Sequence, residues 1–120
     1  MTHPISAFAD DLPVGVCRLT DRLVVREVNA AFLQLLDLRR DDSVDRPLGD
    51  LLRGESSAVI LGALKASHLE RTSRNGIVEF QGQNTSLRAA AYAVAPSGKN
   101  DLVLVLSDIT TETAEAKAMR

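Results

Sequence analysis

Apolar positions along the chain fall into blocks whose period changes from helical to strand-like and back. After Pro4, a residue suited to a first helical turn, Ile5, Phe8, Ala9 and Leu12 recur at i, i+3, i+4 and i+7. This spacing predicts a short helix ended by Pro13, too short to be stable unless it docks on something. Val14–Leu19 and Leu23–Val28 are rich in β-branched residues, and the short Thr20-Asp21-Arg22 link makes them an antiparallel hairpin. Asn29 is placed as the N-cap of a helix through Ala30, Phe32, Leu33 and Leu36. Arg39 to Pro47 is polar and irregular. Leu48, Leu51 and Leu52 predict another short helical turn closed near Gly54.

The longest helical stretch runs from Ser56 to Arg71, opened by Glu55 or Ser56, with Ile60, Leu61, Leu64 and His68 on one face. Asn75-Gly76 is a turn signal expected to end it. Three strands follow: Ile77–Gln81, Thr85–Ala95 and, after the Pro96-Ser97-Gly98-Lys99-Asn100 turn cluster, Leu102–Leu106. The last is apolar on both faces, as expected of a central strand covered on both sides. Thr111 to Arg120 reads as a helix start, with Glu112 and Glu115 early and Lys117 and Arg120 late, matching the helix dipole. Short links require antiparallel pairing. The fold class is therefore α+β: a five-stranded antiparallel sheet with helices inserted between strands two and three and packed on one face.

Composition narrows the function. At 120 residues, 45% hydrophobic and 25% charged, the chain is one domain with a core of ordinary size. A net charge of −2 argues against direct nucleic-acid binding, which needs a basic face. One Cys excludes an internal disulfide, and one Cys with two His does not make a usual closed zinc site. No apolar run approaches the roughly 20 residues of a membrane span, and Met1-Thr2-His3-Pro4 opens no secretory signal. A cytoplasmic location without membrane insertion is expected. Aromatic residues make up 3% of the chain, with no Trp, leaving few rings on which a flat cofactor could stack.

Several motifs, in order, resemble those of PAS domains: Leu12-Pro13-Val14-Gly15-Val16 leading into the first strand, Val28-Asn29-Ala30-Ala31-Phe32 where the second strand meets a helix, Pro47-Leu48-Gly49-Asp50-Leu51-Leu52 before the long helix, and Leu106-Ser107-Asp108-Ile109-Thr110 at the end of the last strand. The resemblance implies a sensory and dimerisation module with an N-terminal docking helix (1–13), a PAS-like domain (14–110) and the start of a signalling helix (111–120). It implies an output domain beyond the C-terminus, such as a two-component histidine kinase or a cyclic-dinucleotide enzyme. Asp108, Ile109 and Thr110 are then the signal relay, and Ile5, Phe8 and Leu12 the docking or homodimer contacts.

The candidate pocket residues are Arg88, Tyr92 and His68. Arg88 and Tyr92 share a strand face with Ala90 and Val94, opposite Leu87, Ala89, Ala91, Ala93 and Ala95. Pointing inward they could orient a small carboxylate; the cost of an unpaired buried Arg favours the outward direction. The small residues opposite would let helices approach the sheet closely or leave a cavity. Some PAS domains hold haem through a His on the long helix, but His68 stands near the helix end. Photosensing relatives carry a chromophore-bonding Cys in the helical region, whereas Cys17 lies on the first strand as a small apolar residue. No bound cofactor is expected, haem and flavin being disfavoured, and a small aliphatic or acidic ligand stays open. No catalytic constellation or metal site stands out, and the domain is read as non-enzymatic. Two other functions stay in play: a ligand-free interaction adaptor of the same fold, and a small α+β enzyme with an unrecognised pocket.

Overall fold

In the computed structural model, residues 13–52, 55–81, 87–98 and 100–109 are described, and residues 55, 56, 81, 87 and 88 by backbone only. The segments expected to form the N-terminal and exit helices lie outside these residues, as do Gly54 and the 82–86 link. The chain runs β1 (Gly15–Thr20), β2 (Val25–Val28), α1 (Ala30–Leu36), a 3-10 turn at Arg40–Asp42, α2 (Leu48–Leu51), α3 (Glu55–Glu70), β3 (Arg74–Gln81), β4 (Leu87–Ser97) and β5 (Asp101–Asp108). One five-stranded sheet has the order β2-β1-β5-β4-β3, with every pair antiparallel. The inserted helices bring β5 back between β1 and β4, so the last strand becomes the central one, as its apolar run predicts. Among the described residues no helix is long and apolar enough to cross a membrane.

Strict alternation separates the two faces of the sheet. Cys17, Leu19, Val78, Phe80, Ala90, Val94, Leu102, Leu104 and Leu106 turn inward and are buried, meeting Phe32, Leu35, Leu48, Leu52, Ile60 and Leu64 from the helices. α1 packs on β1, and α3 lies across β3 and β4. On the outer face the central strand is only half-buried at Val103 and Val105.

Several boundaries differ from the sequence expectations, each for a tertiary reason. The β1–β2 turn takes in Leu23 and Val24 as well. Leu23 adopts a left-handed φ of 64°, which lets its side chain enter the core while its carbonyl accepts from the Leu48 N–H at 2.8 Å. α3 stops at Glu70 with Arg71 left-handed, and the predicted Asn75-Gly76 turn is instead strand, opposite Ala93 and Tyr92. Gly76 serves packing there: a Cβ on it would stand 2.7 Å from the Tyr92 ring. Pro96 and Ser97 continue β4 opposite Leu102 and Asp101, and the turn begins at Gly98, where φ is 71°.

Cys17 is fully buried on β1, and burial pushes its thiol far above its ordinary value. The thiolate, which is the reactive form, is thereby suppressed. A thiol reagent at pH 8 is expected to leave the native protein unmodified and to label one thiol per chain in denaturant. Rapid native labelling would show that β1 opens readily.

Candidate functional site

Three features converge at the end of the sheet where β1 begins and β5 finishes. The first is Asn29. It was expected only as an N-cap, and its Oδ1 does accept the Phe32 N–H at 3.0 Å. The same side chain also reaches the first strand: Oδ1 accepts the Val16 N–H at 2.8 Å and Nδ2 donates to the Val14 carbonyl at 2.8 Å. The backbone N–H of Asn29 donates to the Val16 carbonyl at 3.0 Å. A fully buried Asn thus ties the start of β1 to the start of α1. The local sequence signals a cap and carries no sign of the long-range bonds.

The second is the register between β1 and β5, with Gly15 opposite Leu106. Beyond Leu106 β5 has no partner in β1, which begins at Gly15, and runs on to Asp108 against β4 alone. The third is the end of β5 itself. Asp108 is exposed opposite Ala90, and the Ile109 N–H donates to the Ala89 carbonyl at 2.9 Å, holding the chain on β4 just before it leaves the sheet. Thr110, Ile5, Phe8 and Leu12 lie outside the described residues.

Of the pocket candidates, the side chains of Tyr92 and His68 are described. The face of β4 that carries Tyr92 also carries the buried Ala90 and Val94, so it looks toward the helices. The outward direction favoured for Tyr92 is thus corrected: its half-buried ring packs against the core and over Gly76. Arg88 stands opposite Phe80 in the register, and its side chain lies outside the description. His68 is half-buried near the end of α3, with Nδ1 buried and without a hydrogen-bond partner. The Ala-rich face is the outer one, so its small side chains do not serve helix approach. They floor a shallow groove of about 450 Å³ lined by Asn75, Ile77, Ala91, Ala93, Val105 and Ser107.

A charged cluster without a local signal occupies the other end of that outer face. Arg18 bridges Glu27 and Asp101, both at 3.0 Å, and Arg26 approaches Asp101 at 3.8 Å. Donating hydrogen bonds to Asp101 and then to Glu27 raises the Arg18 pKa, so the guanidinium stays charged. Its two partners come from β2 and β5, the second 83 positions away.

A model of the PAS fold matches residues 5–107. The chain belongs to the PAS family. PAS domains are in general non-enzymatic sensory modules, and solved structures similar to this PAS chain include domains of sensor and receptor proteins. It is similar to a domain of an HTR-like protein from Haloarcula marismortui (23% identity, TM-score 0.64, covering 82% of this chain and 100% of that one). It is similar to the photoactive yellow protein domain of the sensor histidine kinase Ppr from Rhodospirillum centenum (14%, 0.70, 87% and 99%). It is also similar to the PAS domain of the quorum-sensing receptor RpfR from Cronobacter turicensis, in complex with C12:0 (10%, 0.69, 82% and 96%). At these identities the likeness is one of fold. No curated protein matches the PAS chain in sequence.

Proposed function

We propose that this PAS domain is the cytoplasmic sensory and dimerisation module of a signalling protein. In this reading residues 14–110 sense, residues 1–13 dock, and residues 111–120 begin the helix that carries the signal to a histidine kinase or cyclic-dinucleotide enzyme. The observation that carries the proposal is the Asn29 junction. A shift of α1 pulls directly on Val14 and Val16, and β1 lies against the part of β5 that leads to Asp108, Ile109 and Thr110. The path from helical layer to chain exit is two hydrogen-bonded steps long, and packed elements of this kind switch between discrete arrangements.

The stimulus is proposed to be a small aliphatic or acidic molecule, or a protein partner, with no flavin or haem. The scarcity of rings, the position of His68 and the burial of Cys17 on β1 support this. The space between helices and sheet is filled by Phe32, Leu48, Ile60, Leu64 and Leu104, so an aliphatic chain there would have to part α3 from the sheet. That packing supports a second reading, a ligand-free adaptor that answers to a partner protein.

In the full-length protein, Asp108→Ala and Thr110→Ala are each expected to change output severalfold while costing no more than the roughly 1 kcal/mol of a typical point substitution. Loss of output in proportion to loss of stability would reduce the junction to a structural cap.

A further inference from the structure

The two edges of the sheet are treated differently. At the β2 edge the 43–48 segment lies alongside the chain: the Val25 N–H donates to the Arg46 carbonyl, the Asp45 N–H to the Val25 carbonyl and the Leu48 N–H to that of Leu23, with a bridge between Val24 and Pro47. β2 is also only four residues long and bulged against β1. These are the usual means by which an edge is closed to further pairing.

β3 carries charges at Arg74 and Glu79 but, among the described residues, is neither covered, short nor bulged. It runs for eight residues, Arg74–Gln81, in unbroken register with β4, without a bulge, a Pro or a Lys. Among the described residues no other segment hydrogen-bonds to its outer edge. At its middle, Ile77 is 68% exposed on the outer face.

We propose that this edge pairs with the same edge of a second copy of the chain, joining two sheets across a two-fold axis at Ile77. Such an axis stands perpendicular to the sheet, so inner faces stay on one side and opposed residues must come from the same face. With Ile77 opposite Ile77 of the partner subunit, the outer-face neighbours are Asn75 opposite the partner's Glu79 and the reverse. The exposed Ile77 is then covered by its twin, and each Asn75 amide can donate to a carboxylate. A register centred on Glu79 instead would set two carboxylates face to face, which is unfavourable. Arg74 already lies against Glu70 in its own chain and makes no demand on the partner. The groove beside Ile77 would also continue across the axis into that of the second copy.

A contact made by one strand edge over Arg74–Phe80 belongs with weak and transient complexes rather than with standard interfaces of roughly 800 Å² per partner, so a dimer of micromolar strength is expected. The inference deepens the dimerisation reading above and rests on it. It places the contact on β3 instead of on Ile5, Phe8 and Leu12.

Sedimentation of the full chain up to about 100 μM, where a micromolar dimer is mostly formed, should show concentration-dependent dimers. Ile77→Lys, which opposes two like charges at the axis, should weaken them at least about tenfold with unchanged circular dichroism and melting, whereas Phe8→Asp should leave them intact. With Cys17 buried, Ile77→Cys should form a disulfide-linked dimer under mild oxidation. Glu79→Cys should cross-link with Asn75→Cys in a mixture but not with itself. Dimers that survive Ile77→Lys and are lost in Phe8→Asp would overturn the edge and keep the dimer reading. A chain that stays monomeric at every concentration would overturn both. Failure of Ile77→Cys to cross-link in a chain that does dimerise would overturn the proposed register and edge.

Discussion

Asn29→Ala is expected to cost about 3–5 kcal/mol and to lower the melting temperature by roughly 15 °C, given about 4 °C per kcal/mol for a domain of this size. The substitution removes a helix cap worth about 1–2 kcal/mol. It also leaves the Val16 N–H and Val14 carbonyl without their side-chain partner in a place where Asn29 itself is fully buried. A buried backbone group stripped of its partner costs about 1–3 kcal/mol, and total stability is only about 5–15 kcal/mol. Asn29→Ser separates the two contributions. A Ser oxygen can still cap Phe32, but one atom on a shorter side chain cannot stand where both Oδ1 and Nδ2 meet Val16 and Val14, so its midpoint should fall between those of the parent and the Ala variant. Urea or thermal unfolding of the three proteins measures this. A loss below about 1 kcal/mol for Asn29→Ala would mean that water takes over the bonds to β1 and that the junction is not the tie described above.

What the sequence conveys about this fold is what acts over a few residues. The N-cap at Asn29, the apolar run of β5 and the long apolar helix are legible because cap chemistry and hydrophobic period are local signals. The α+β architecture follows from them, since each strand-to-strand link is too short for a parallel crossover. Signals that can be used in two ways mislead. Asn75-Gly76 has turn chemistry, yet Gly76 is needed under the Tyr92 ring, and eight register pairs with β4 outweigh the local preference. Leu23 has strand chemistry, yet burying its side chain while bonding Leu48 puts its backbone in the left-handed region.

The direction of β4 was the costliest ambiguity for the site. Ala90, Tyr92 and Val94 on one face and Ala91, Ala93 and Ala95 on the other are nearly equal in apolar character, so period alone could not orient the strand. Only the partner rows decide it, because Val94 lies opposite the fully buried Leu104. The Arg18 cluster was invisible for a related reason. Arg18 and Glu27 face each other within the β1–β2 hairpin, but Asp101 joins them only when β5 is inserted beside β1, and no short motif encodes a contact 83 positions apart.

One substitution should change sign with its place in the fold. Gly15→Ala is expected to destabilise the domain by about 1–3 kcal/mol, as overpacking of a filled interior does, while Gly62→Ala should stabilise it by about 0.5–1 kcal/mol. At Gly15 an added Cβ would lie 2.9 Å from the Phe32 Cα and 3.2 Å from both its Cβ and its backbone N. The obstacle is mostly helix backbone, held in place by the Asn29 cap and by a fully buried Phe32 side chain, so it cannot swing aside as a side-chain tip could. The strain must be relieved by lifting α1 off β1 or by bending β1 away from β5. At Gly62, within α3 and exposed, an added Cβ meets nothing within 4 Å, so Ala brings only its better helix propensity and a less flexible unfolded chain. Melting of both variants should move in opposite directions, by roughly 4–12 °C downward for Gly15→Ala and a few degrees upward for Gly62→Ala. Because Gly15 also stands opposite Leu106, two residues before Asp108, Gly15→Ala should perturb the output of the full-length protein more than its loss of folded fraction explains. A Gly15→Ala protein of undiminished stability would show that α1 sits further from β1 than its close approach at Phe32 implies.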